Sequence, residues 1–210
     1  MGACCGHDHE ATFDGLSRDY VRRLWLVIAL NGGMFLAEMI AGQTAGSQAL
    51  QADALDFFGD AVTYGISLAV IGASLKVRAT AALVKGVSLL LMGLWVTGST
   101  IYQVLVLGMP HASVMGIVGF IAMLVNLASV LLLMRYKDGD ANVRSVWLCS
   151  RNDAIGNVAV MLAALGVWGT ATAWPDLIVA GLMAALFLNS AWQILTQALG
   201  EYRSGHSHAA

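Results

Sequence analysis

Six apolar stretches of about 20 residues, joined by short connections, leave this chain few folds to choose from. They run Leu24–Gly42, Ala49–Leu75, Ala81–Leu107, Val114–Tyr136, Ser145–Gly169 and Leu177–Leu199. Each is long enough to cross a hydrocarbon layer about 30 Å thick. Inside lipid, every backbone N–H and C=O must be satisfied within the segment or a closed barrel, and apolar runs of this length satisfy it as helices. Of 210 residues, 58% are hydrophobic and 11% are charged, against about 25% charged in soluble domains. The expectation is an all-α integral membrane protein, a bundle of six transmembrane helices over residues 21–200. Residues 1–20 are expected to form a flexible cytoplasmic tail and residues 201–210 a short His-containing one.

The basic residues set the orientation. Arg18, Arg22 and Arg23 precede helix 1, and Lys76, Arg78 and Lys85 lie around the helix 2–3 connection. Arg135, Lys137, Arg144 and Arg151 surround the helix 4–5 connection, and Arg203 follows helix 6. The other three connections, "GQTAGSQ", "GMPHAS" and "TATAWPD", contain no Lys or Arg. The positive-inside rule then predicts both termini in the cytoplasm, and the even number of helices agrees. The polar start "MGACCGHDHE" has no apolar core of a secretory signal. Gly rather than Ser or Thr at position 6 argues against an N-myristoylation start. No basic stripe points to nucleic acid.

Helix 2 holds an anomaly. The run "LQADALDFFGDAV" places Asp53, Asp56 and Asp60 inside a membrane segment. An aspartate near mid-bilayer costs about 2.5–3.5 kcal/mol on insertion scales, while a Leu, Ile, Phe or Val returns only about 0.3–0.6 kcal/mol. Something must use the carboxylates.

Asp56 and Asp60 are four residues apart and stack on one helical face. In helix 5, "VWLCSRNDAIGNVAV", Cys149 and Asp153 have the same spacing. Two helices that each offer a pair of donors at i and i+4 can surround one ion with four side chains. Carboxylate and thiolate donors in tetrahedral array suit Zn²⁺, and sulfur steers the site from Mg²⁺ and Ca²⁺ toward zinc and softer cadmium. Both donor types bind metal in their deprotonated form, so metal and protons compete for the same groups. That competition is antiport in outline.

Plainer readings exist for each residue. A buried cysteine is usually a small hydrophobe, and an intramembrane aspartate pair can serve an ion pair with Lys85 or Arg151, or a proton relay. Asn31, Asn126 and Asn157 fit interhelical hydrogen bonding. Asp53, Asn31 and Glu38 are read as accessory or access-path residues. Cys4, Cys5, His7 and His9 in one tail, and His206 and His208 in the other, are read as peripheral metal-capture donors or as idle tail residues. Two adjacent cysteines and one inside a helix make a poor disulfide framework. Cys149 has no histidine partner in the membrane segments, which argues against an enzyme.

Two spaced Asn–Asp pairs fit an internal repeat or a chance match. Asn31 is followed 29 residues later by Asp60 in "GDAV", and Asn126 is followed 27 later by Asp153 in "NDAI". Helices 1–3 and 4–6 then read as halves threaded in opposite directions, a plan that places transport sites near mid-membrane.

The run "LNGGMFLAEMIAGQTAGSQALQADALDFFGDAVTYGISL" resembles the first two helices of the cation diffusion facilitator family. The matching positions are Asn31, Glu38, Gly46–Ser47, Ala49–Leu50, Ala52–Asp53–Ala54 and Asp60. "NDAIGNVAV" resembles the family's fifth helix and "PDLIVAGLMAALFLNSAWQIL" its sixth. The resemblance implies a metal site of Asp56, Asp60, Cys149 and Asp153, with Asp56 and Cys149 where the family uses His or Asp. It implies efflux of Zn²⁺ and Cd²⁺ as substrates in exchange for H⁺, with no bound cofactor, across a plasma or bacterial inner membrane. It also implies a short member without the family's usual cytoplasmic C-terminal domain, so that any homodimer forms through the membrane helices. The alternatives are another divalent metal, manganese or iron, and a membrane metal sensor that binds without transport.

Overall fold

A computed structural model describes the backbone of residues 17–69, 75–106, 108–137 and 141–207, without the side chains of 75, 76, 78, 79, 141–149, 152 and 200–207. Six long helices make up the described residues: α1 Arg18–Ala45, α2 Gln48–Ala69, α3 Leu75–Val106, α4 Ala112–Leu133, α5 Ala141–Thr170 and α6 Trp174–Ser207. A 3₁₀ turn, Met134–Tyr136, extends α4. Local chemistry sets the ends. Ser17 caps α1 by accepting from the Tyr20 N–H at 3.2 Å. Gly46 ends it in the left-handed region at φ +68°, where a side chain would be strained. In the same turn the Ser47 N–H donates to the Gly42 carbonyl at 2.9 Å. Pro175, lacking an N–H, sits in the first turn of α6 where that donor has no helical partner anyway.

Most of the helices outrun the apolar stretches that announced them. α1 begins at Arg18 and α6 continues to Ser207, because polar residues beyond the hydrocarbon layer still form helix once the apolar segment has nucleated it. Among the described residues, five helices are long and apolar enough to cross a bilayer. The sixth, α2, carries the three aspartates; it packs against α1, α3, α5 and α6.

Three tight pairs build the bundle: α1 with α2, α4 with α5, and α3 with α6. The α3–α6 pair owes its closeness to glycine. A methyl group at Gly86 would come within 2.8 Å of Leu195, and one at Gly93 within 2.8 Å of Leu188. The seven-residue spacing on both helices repeats one knob-into-gap contact, the packing that small residues permit in membranes. Contacts also repeat between the halves: α1 packs on α2 as α4 does on α5, and α2 on α3 as α5 on α6.

Two apolar plugs close the four-helix core of α1, α2, α4 and α5. At the end that carries Arg18, Arg22, Arg23 and Arg135, the plug is Tyr20, Leu24, Val27, Tyr64, Leu133 and Tyr136. At the opposite end it is Leu50, Met115, Val160, Ala163, Ala164 and Val167. There Asp176 of α6 also binds the start of α2, accepting from Ser47 Oγ at 2.6 Å, the Gln48 N–H at 2.8 Å and the Ala49 N–H at 3.1 Å. The His111 N–H donates to the Ala45 carbonyl at 2.9 Å, joining a third connection to the same corner.

Candidate metal centre

Helix register brings the polar residues to one level. Val27 shares an apolar cluster with Tyr64, and Met34 shares the next with Phe57 and Ala122. In the antiparallel α1–α2 pair this register sets Asn31 level with Asp60 and Glu38 level with Asp53. On α4, Gly119 lies opposite Val160 of α5, where an added methyl group would come within 3.3 Å of the valine side chain. Two turns further along, Asn126 falls level with Asp153. Since Ala122 and Met34 also meet, Asn126 stands level with Asn31. Asn31, Asp60, Asn126 and Asp153 thus form a polar layer between the two apolar plugs, with two residues from each half of the chain. Asn31 and Asn126 are buried, at 1% and 2% exposure.

Asp56 lies one turn from Asp60 on α2, and the Asp153 carboxyl is within hydrogen-bonding reach of both. All three line one cavity of about 370 Å³ between α2, α3, α5 and α6. Thr63, Lys85 and Ser190 complete its polar wall, and Leu89, Met183, Leu186, Phe187 and Ile194 its apolar one. The Tyr64 hydroxyl donates to Asp60 and stands 3.3 Å from Ser150 Oγ on α5. Among the described residues, no three His, Cys, Asp or Glu side chains yet close around a single point as a finished metal cage. The aspartates face a shared space rather than a rigid shell.

The structure therefore brings Asp56, Asp60 and Asp153 together. Cys149 is on α5, one turn before Asp153, and its side chain lies outside the described residues, as does that of His206. Cys4, Cys5, His7, His9 and His208 lie outside the described residues altogether. Glu38 and Asp53 are buried, at 0% and 3% exposure, and their side chains meet across the α1–α2 interface. Among the described residues, no hydrogen bond of ordinary geometry satisfies either Glu38 oxygen. Asn31 donates through Nδ2 to the Val27 carbonyl at 2.9 Å, and its Oδ1 has no partner among the described residues.

Sequence reasoning did not pick out Tyr64, Ser150, Thr63 or Ser190. Tyr64 follows Asp60 by four residues, so the same helical spacing that paired Asp56 with Asp60 reaches it too. Ser190 lies on another helix and gave no such signal.

Residues 24–201 match the cation efflux transmembrane domain. The chain belongs to the cation efflux family. Its members are transporters and not enzymes, and this member is an integral membrane protein. Zinc transporter ZitB of Escherichia coli (strain K12) is 26% identical over 213 residues, covering 95% of this chain and 68% of the relative. Metal cation efflux system protein CzcD of Cupriavidus metallidurans is 24% identical over 217 residues, covering 98% of this chain and 66% of the relative. A zinc transporter ZitB of Yersinia pestis is 27% identical over 201 residues, covering 88% and 63%. The cation efflux chain thus spans about two thirds of the length of these relatives.

Proposed function

We propose that this cation efflux protein exports Zn²⁺, and with it Cd²⁺, from the cytoplasm in exchange for protons. The observation that carries the reading is the convergence of Asp56, Asp60 and Asp153 on one cavity. When ionised, the three carboxylates outweigh the Lys85 ammonium and leave the cavity negative, as a cation site requires. The names of the bacterial relatives support zinc as the substrate. Cys149, one turn from Asp153 on the same helix, is the fourth ligand in this reading and supplies the soft donor that favours Zn²⁺ and Cd²⁺.

The cycle follows from the chemistry of the donors. Metal enters from the cytoplasm and displaces protons, because carboxylate and thiolate bind metal only when deprotonated. The helices then shift to open the far side, where protons compete the ion away. Both termini lie in the cytoplasm, on the strength of the basic residues at that end of the bundle. The bacterial relatives support the inner membrane as its location.

A second reading rests on the same three aspartates. Oxygen donors also suit Mn²⁺ and Fe²⁺. Purified protein in liposomes, loaded with a zinc-sensitive dye and given a pH gradient, separates the two. Zn²⁺ uptake that depends on the gradient, and that Mn²⁺ or Fe²⁺ inhibits only weakly, is expected. At saturating Zn²⁺, a halving of uptake by an equimolar amount of Mn²⁺ or Fe²⁺ would overturn the metal assignment. Zn²⁺ binding without flux would point to a sensor.

A further inference from the structure

We infer that Lys85 is a tethered counter-cation which competes with the transported metal for the acidic cavity, and so sets how tightly that metal is held and how readily it leaves. This rests on the reading of the cavity as the metal site.

Lys85 sits ten residues into α3, within the stretch Thr80–Val106 that is apolar enough to span a bilayer. It is half-buried and lines the cavity together with Asp56, Asp60 and Asp153. It is the one Lys or Arg among the described residues of that lining. Its ammonium acts electrostatically on the Asp60 carboxylate. Its helix is held close to α6 by the Gly86–Leu195 contact, one residue along the chain. A lysine at this depth is costly unless an opposite charge offsets it, and the aspartates across the cavity are that charge.

The arrangement gives the empty and loaded cavities different electrostatics. Without metal, a flexible ammonium on a four-carbon stem partly neutralises the carboxylates and stays attached to the protein. When a dication arrives, the same ammonium faces a like charge, which weakens metal binding and favours its departure. A fixed repulsive charge is a poor feature for a storage site. For a transporter it helps, because release must be fast enough to complete a cycle. Lys85 is thus a determinant of affinity and turnover rather than a ligand.

The test uses the purified full chain, with Zn²⁺ binding measured by competition against a fluorescent chelator and Zn²⁺ uptake measured in liposomes. Lys85→Gln is expected to bind Zn²⁺ about tenfold more tightly, with a lower KM and a lower maximal transport rate. Lys85→Arg keeps the cation and is expected to stay near the parent in both. Lys85→Met preserves the apolar stem and repeats the measurement should the amide disturb helix packing. Unchanged affinity in both neutral variants, or weaker binding in them, would overturn the inference while leaving Zn²⁺ transport by the parent intact. Failure of the parent itself to bind Zn²⁺ would instead overturn the proposed function, and this inference with it.

Discussion

The Tyr64 hydroxyl donates a hydrogen bond to the Asp60 carboxylate one turn away on α2, and it stands 3.3 Å from Ser150 on α5. The ring itself is fully buried in the apolar plug with Leu24, Val27 and Leu133. One side chain therefore seals one end of the core and orients a candidate ligand. Tyr64→Phe keeps the packing and removes the hydroxyl. Hydrogen bonds to charged groups contribute about 1.5–3 kcal/mol, so the melting temperature is expected to fall, and Zn²⁺ affinity to drop by about tenfold as Asp60 loses its orientation. Calorimetric titration alongside a melting curve checks both halves.

Asp153 reaches both aspartates of α2. Asp153→Asn is expected to cost more Zn²⁺ affinity than the roughly 10–100-fold lost when an outer-shell partner is removed. Binding measured on the purified variant at fixed pH gives the answer. A loss of only a few-fold would show that Asp153 does not bind the ion.

Sulfur and oxygen at position 149 are expected to separate the two metals. Cys149→Ser replaces a soft donor by a hard one, so Cd²⁺ transport should fall more than Zn²⁺ transport. Parallel uptake assays with each ion test this, and equal losses would remove the thiol from the ligand set.

Asp176 joins α6 to the start of α2 through three hydrogen bonds. Asp176→Ala leaves the Gln48 and Ala49 N–H groups without their acceptor at a buried corner. An unsatisfied buried donor costs about 1–3 kcal/mol. The melting temperature in detergent is expected to drop measurably, and Asp176→Asn, which retains an acceptor oxygen, should lose less.

Gly93 makes room for Leu188 at the tightest interface of the bundle. Gly93→Leu forces α3 and α6 apart, and overpacking of this kind costs about 1–3 kcal/mol. Because α3 carries Lys85 and α6 carries Ser190, the cavity should widen as well. Reduced thermal stability together with altered Zn²⁺ affinity is the expected pair of results.

The helices are legible in the sequence because apolar runs of membrane length have few alternatives. Asp56, Asp60 and Asp153 are legible because charge in such a run is costly and conspicuous. The i, i+4 spacing alone puts two of them on one face. Tyr64 escapes notice because a tyrosine in an apolar segment costs little and so does not stand out. Lys85 reads in the sequence as an ion-pair partner for the aspartates; its place on the cavity wall depends on how α3 lies against α2.

The amino-acid order by itself determined six helices, their alternating direction and the acidic residues that lipid cannot hold alone. Hydrophobic length and charge are local properties, and they are written residue by residue. Tertiary structure alone decided which helices pair, which faces meet, and therefore that residues nearly 100 positions apart share one cavity. Helix register depends on side chains from two segments fitting together, as Gly86 and Gly93 fit Leu195 and Leu188, and no single segment contains that information.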